Sequence, residues 1–191
     1  MAARPVHGFL LDGFHPNGPD SENIVFDTFQ EALSESVVLL PPDKPRFYFG
    51  AAPPHLVFDL VAAGVDVFDS TYPNLVTERD GALVFPNTKS QERTEAVDGK
   101  PLYELDMGDE ALRMDLGPLV AQCPCHTCTS FSRAYVHHLV MTREMLGRVL
   151  LSLHNLQHYQ TFFLSLQAAI REDTVEQLRQ AVTGRRHNPA G

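Results

Sequence analysis

Residues 46–69 read RFYFGAAPPHLVFDLVAAGVDVFD. Arg46-Phe-Tyr-Phe49 is a short β-favouring run closed by Gly50. Pro53 and Pro54 suit the first turn of a helix, where the missing N–H has no intrahelical partner to lose, and Leu56, Leu60 and Val61 supply its apolar positions. Gly64 is placed to cap that helix, and Val65-Asp-Val-Phe68 then reads as a strand with Asp69 at its C-terminal end. Strand, helix, strand with short connections predicts parallel α/β architecture, because parallel neighbours need a crossover and a helix provides it.

The pattern extends upstream. Gly8-Phe-Leu-Leu11 is a further short strand, ending in Asp12-Gly13. Ser21 is a candidate N-cap, after which Val25, Phe29, Leu33 and Val37 recur every four residues along one helix face, and Pro41-Pro42 stops the run.

Downstream the style changes. A polar stretch without periodicity from Asn87 to Lys100 reads as a loop, and Leu102–Leu105 as a strand. Beyond a cysteine cluster the chain turns helical. Phe131–Val140 is one expected helix. Thr142 is a candidate cap for a long one carrying Met145, Val149, Leu153, Leu156 and Phe163. Asp173-Thr-Val-Glu176 has the form of a capping box opening a last helix through Leu178 and Val182, with a frayed tail expected after it. The expected division is a β/α part over 1–105, a cysteine-bearing helical part over 106–183 and a tail over 184–191.

Composition narrows the function classes. At 191 residues and 43% hydrophobic, the chain can bury a sizeable core. It shows neither an apolar run long enough for a membrane span nor a signal-peptide pattern, so a soluble, intracellular protein is expected. A net charge of −9 without a Lys/Arg cluster argues against a stand-alone nucleic-acid binder, which needs a basic face for phosphates.

The three cysteines all lie within Cys123-Pro-Cys125-His-Thr-Cys128. An odd count in six residues is no disulfide framework; it points to metal ligation in a reducing compartment. Zinc favours thiolate and imidazole in a tetrahedron, so a fourth ligand must come from elsewhere. The candidates are His126, His137, His138, His154 and His158. His126 lies inside the cysteine turn, and of the adjacent His137 and His138 at most one can face the ion. Spacing places His154 slightly ahead of His158, which follows one turn later. The plain alternative is three reduced thiols with surface histidines. Four protein ligands would leave no position for water and make the ion structural.

Asp69 and Asp12 sit at strand ends. A carboxylate at the C-terminal end of a barrel-type strand is where catalytic groups of such folds lie, and Asp69 could act as a nucleophile. The plain alternative for both is a turn or capping aspartate. No glycine-rich phosphate loop and no Ser/His/Asp grouping stands out.

Cys123-x-Cys125-x₂-Cys128 followed by Leu153-His-Asn-Leu156 resembles the zinc motif of the tRNA-guanine (queuine) transglycosylases. Asp43-Lys-Pro-Arg46, Gly64-Val-Asp-Val-Phe-Asp69 and Ser132-Arg-Ala-Tyr-Val-His-His138 match in family order. The resemblance implies one structural zinc ion on Cys123, Cys125, Cys128 and His154. It also implies that the chain is the C-terminal part of a (β/α)₈ TIM-type barrel with a zinc subdomain and C-terminal helices. Catalytic members exchange a tRNA guanine for queuine or a precursor base through a covalent aspartate intermediate, and Asp69 aligns with that nucleophile.

Two departures qualify this. Where catalytic members carry Pro-Thr-Arg and a second arginine, this chain has Tyr72-Pro-Asn-Leu-Val-Thr-Glu-Arg-Asp-Gly81. Val76-Thr-Glu-Arg79, Ala82-Leu83 and Arg171-Glu-Asp-Thr174 are instead similar to the non-catalytic accessory branch of eukaryotes. A full member is also about twice as long, so an isoform or incomplete gene model lacking the N-terminal half of the barrel, with its general-base aspartate, is expected. The implied role is a non-catalytic subunit with Asp69 inactive, paired with the catalytic subunit as a heterodimer, or self-paired, and meeting tRNA through the complex. The implied location is the cytoplasm, with peripheral attachment to the mitochondrial outer membrane. An active transglycosylase fragment and a free-standing zinc module are the alternatives.

Overall fold

A computed structural model describes residues 6–15, 19–86 and 103–184. They fall into two compact units, one ending at Tyr72 and one beginning at Pro73.

The first unit holds the expected parallel arrangement. β1 (Phe9–Leu10) pairs with β2 (Arg46–Tyr48), and β2 pairs with β3 (Val67–Phe68), all parallel, in the order β1-β2-β3. Helices α1 (Gln30–Val38) and α2 (Pro54–Ala62) are the crossovers. α2 buries Leu56, Val57, Phe58 and Leu60. It ends at Gly64, whose φ of +96° suits glycine; Gly64 N–H donates to Val61 O and Val65 N–H to Leu60 O, the paired bonds of a Schellman motif. Asp69 follows β3 and leads into α3 (Thr71–Glu78), a helix for which the local pattern predicts no element.

The first helix departs from expectation. Residues 19–23 and 26–28 form 3₁₀ turns, and α1 starts only at Gln30. Ser21 caps nothing there; its buried hydroxyl accepts the Ala51 N–H at 3.2 Å. Of the four residues spaced along the expected face, Phe29 and Leu33 are buried and Val25 is exposed.

In the second unit β4 (Gly81–Leu83) pairs antiparallel with β5 (Glu104–Asp106) in the register Ala82↔Leu105. β5 lies slightly later than the expected strand. Leu102, the expected loop from Asn87 to Lys100 and the tail from 185 lie outside the described residues. Among the described residues four α-helices follow: α4 (His126–Ser130), α5 (Arg133–Met141), α6 (Met145–Arg171) and α7 (Val175–Thr183). Ala82, Met107, Leu112, Leu119, Val136, Leu139, Leu150 and Leu151 form one core cluster between them.

Two local expectations are corrected. Thr142 closes α5 instead of opening α6, its hydroxyl donating to the His138 carbonyl at 2.9 Å. No capping box forms at Asp173, which takes φ +54°, and Thr174, the N-cap of α7, makes no side-chain cap. Thr183 is buried as the last helical residue, with Gly184 in the left-handed conformation after it.

The largest correction concerns which face of α6 meets the core. Met145, Val149, Leu153 and Leu156 are 84%, 46%, 46% and 44% exposed. The buried face carries Gly147, Leu151, His154, Asn155, His158, Phe162, Leu166 and Ala169. α6 is apolar on both sides, so periodicity alone does not say which side turns inward. The polar residues decide it. Asp80 and Val84 of the β4 segment bond across to Met107 and Tyr103, so the backbone groups of Gly81, Leu83 and Phe85 point to the unpaired edge. Buried backbone groups require partners, and His154, Asn155 and His158 provide them.

Candidate metal centre

The cysteine turn is prepared by the segment before it. Arg133 at the start of α5 donates to Asp115 Oδ2 and to the Leu119 carbonyl, both at 2.9 Å. The Gly117 N–H and the Arg133 guanidinium hold the Asp115 carboxyl below its usual range. The turn then enters α4 with Cys125 as N-cap, its sulfur accepting the Cys128 N–H at 3.3 Å. Thr127, fully buried, donates its hydroxyl to the Leu150 carbonyl of α6 at 2.7 Å. The turn is thereby tied to the helix one turn before His154.

Cys123, Cys125, Cys128 and His154 come together, their candidate ligand atoms all within 4.8 Å of one another. His154 Nδ1 lies 3.8, 3.4 and 3.3 Å from the sulfurs of Cys123, Cys125 and Cys128. A tetrahedral zinc ion with ordinary Zn–S and Zn–N bonds has N···S edges of about 3.6 Å. The donor set has the spacing and the chemistry to hold a metal ion. The other histidines lie elsewhere: His126 is exposed against Phe131, His138 is exposed, and buried His137 and His158 bond the Met107 and Phe85 carbonyls at 2.8 Å.

The protonation pattern follows from the crowding. The hydrogen bond from the Cys128 thiol, opposed by burial and aided by His154, pushes Cys123 down to about 3, while Cys128 is pushed up. Burial pulls the His154 imidazolium down, but the sulfurs of Cys123 and Cys125 and the Leu83 carbonyl outweigh it and raise His154 to about 9. Cys128 and His154 therefore hold their protons, and a cation entering the cluster must displace them.

His154 Nε2 is 2.8 Å from the Leu83 carbonyl. A carbonyl can only accept, so Nε2 carries a proton, and Nδ1, which faces the sulfurs, is the nitrogen that must give up its proton to offer a lone pair to a metal ion. Beside it, Asn155 is fully buried: Oδ1 accepts the Leu83 N–H at 2.8 Å, and Nδ2 donates to Thr77 Oγ1 and the Gly81 carbonyl at 2.9 and 3.0 Å. Asn155 falls within the Leu153–Leu156 motif, but neither its role nor that of Thr127 is evident from sequence. A polar residue directly after a ligand histidine was the available signal for Asn155.

The strand-end aspartates belong to the first unit. Asp69 Oδ1 accepts the Thr71 N–H at 3.0 Å and Oδ2 accepts the Thr71 hydroxyl at 2.6 Å, an Asx-turn into α3. Burial and the Asp69 charge push the Tyr48 phenol up to about 12, and its buried hydroxyl has no hydrogen-bond partner among the described residues. Asp12 is exposed and accepts the N–H of its neighbour Gly13.

Comparison with known proteins gives a consistent result. Proteins named queuine tRNA-ribosyltransferase accessory subunit 2 are similar to this chain: that of Ixodes scapularis is 44% identical over 170 residues, covering 87% of this chain and 43% of the relative. The Xenopus laevis protein of that name is 38% identical over 207 residues, covering 95% and 49%. The Anopheles gambiae one is 39% identical over 183 residues, covering 95% and 41%. The chain thus spans somewhat less than half the length of these curated relatives. The family model described as queuine tRNA-ribosyltransferase matches residues 1–188, which takes in both units and all four clustered ligand residues, and the chain belongs to that family.

Proposed function

We propose that this chain acts as a non-catalytic accessory subunit of the queuine tRNA-ribosyltransferase complex, supporting exchange of guanine for queuine in tRNA by a catalytic partner. The observation that carries the reading is its likeness to proteins named as that accessory subunit, over nine-tenths or so of its length. The geometry at Asp69 supports it: both carboxylate oxygens are engaged by Thr71. The three parallel strands with helical crossovers support a place in the C-terminal part of a (β/α)₈ barrel.

The donor set supports one structural zinc ion on Cys123, Cys125, Cys128 and His154. Bound there, zinc would supply a closed cross-link with no open coordination position. The chain's own residues do the positioning: Thr127 anchors the cysteine turn on α6, and Leu83 orients His154. The outer face of α6, with Met145, Val149, Leu153, Leu156, Leu164 and Ile170 exposed, supports pairing through these helices. The pairing proposed is a heterodimer with the catalytic subunit, with tRNA met through the complex in the cytoplasm. No helix among the described residues is long and apolar enough to cross a membrane.

Reconstitution tests this. The zinc-loaded chain should capture the catalytic subunit and leave labelled guanine in tRNA unexchanged by itself. Exchange by the purified chain, lost in Asp69→Asn, would overturn the non-catalytic reading; failure to pair despite bound zinc would overturn the accessory one.

A further inference from the structure

The backbone of Leu83 is gripped at both its N–H and its carbonyl by neighbouring residues of α6. Its carbonyl accepts from His154 Nε2 and its N–H donates to Asn155 Oδ1, each at 2.8 Å. Asn155 is 0% exposed and uses both ends of its amide: the oxygen on Leu83, the nitrogen on Thr77 and Gly81. A buried asparagine is costly unless its hydrogen bonds are made, and here they are. One of these bonds falls on Leu83, the residue whose carbonyl meets the ring of a candidate ligand.

We propose that Asn155 is a positioning residue for the metal centre, acting through the backbone of Leu83 from its N–H to its carbonyl. It holds the Leu83 carbonyl where only the Nε2–H tautomer of His154 satisfies it, which aims the Nδ1 lone pair at the three sulfurs. In return, a metal ion on Nδ1 fixes the His154 ring and with it the docking of β4 against α6. Partners of this kind behind a ligand histidine set both its tautomer and its orientation. The alternative role for Asn155 is a clamp that seals the edge of β4 without affecting the metal.

This inference rests on the metal reading, so zinc on the full wild-type chain is measured first; its absence ends that reading. Zinc and cobalt affinities are then read by chelator competition in the wild type, Asn155→Ala and Thr77→Val. Thr77→Val removes an Asn155 partner but leaves the Leu83 N–H held by Asn155 Oδ1. Asn155→Ala should bind one ion 10- to 100-fold more weakly, with altered cobalt d–d absorption. Thr77→Val should keep wild-type affinity while losing thermal stability. Equal affinities in wild type and Asn155→Ala, with only stability reduced, overturn the proposal and leave the clamp. A second measurement needs no variant. Chelation of the wild-type chain should accelerate hydrogen exchange at the Leu83 amide at least tenfold more than at the Val84 amide, which is bonded to Tyr103. Equal acceleration, or none, overturns the proposal.

Discussion

Thr127 on α4 donates its hydroxyl to the carbonyl of Leu150 on α6 at 2.7 Å, joining the cysteine turn to the helix that carries His154 by a contact independent of any ion. The donor set is therefore partly assembled by ordinary hydrogen bonding.

Removing that tie should be felt twice. Thr127→Val keeps the shape and loses a buried hydrogen bond, so unfolding free energy should fall by about 1–2 kcal/mol. Zinc should be held several-fold more weakly, because ordering the turn then draws on metal-binding energy. Denaturant unfolding and chelator competition check both.

The five histidines separate cleanly by substitution. His154→Ala should abolish stoichiometric zinc, whereas His126→Ala, on an exposed ring outside the cluster, should retain one ion per chain. Elemental analysis of the purified variants checks this.

His158 predicts a pH dependence. Burial first, and the nearby His154 charge second, lower its pKa to about 4 from the ordinary 6.5. The unfolded chain therefore binds a proton that the folded chain refuses. The stability from neutral His158 is complete above pH 6.5 and is lost as pH falls towards about 4, by roughly 3 kcal/mol at most. Acid release of metal is common to wild type and His158→Gln, so the difference between their unfolding free energies across that window is the measurement. A wild type that loses no more stability than His158→Gln contradicts it.

The outer face of α6 gives a pairing prediction. Val149→Asp and Leu156→Asp change half-exposed side chains, so helicity and zinc content should persist. Capture of the catalytic subunit should fall at least tenfold, since a charge in an apolar interface is left unpaired. Pull-down from equal amounts of folded protein reads this.

The parallel α/β unit was legible because local signals agreed: the prolines opening α2, Gly64 closing it and short strands on either side all pointed one way. The cysteine cluster was legible because three thiols within six residues sit too close together for a disulfide framework and suit a single metal ion. The inward face of α6 was not legible, since apolar residues occur on both of its sides and neither forms a dominant stripe. What turns it is the unpaired edge of β4, 71 residues away at the His154–Leu83 bond. Asn155 and Thr127 escaped for the same reason: their roles are set by backbone groups distant in sequence, which no local pattern encodes. Thr142 and Asp173 resemble helix openers by residue type alone, whereas they sit at helix ends.

The four-ligand centre is tested most directly by native mass spectrometry of the wild-type chain and Cys125→Ser. One zinc ion on each wild-type chain and none on the variant is the predicted result. A full zinc ion on Cys125→Ser, or none on the wild type, contradicts it.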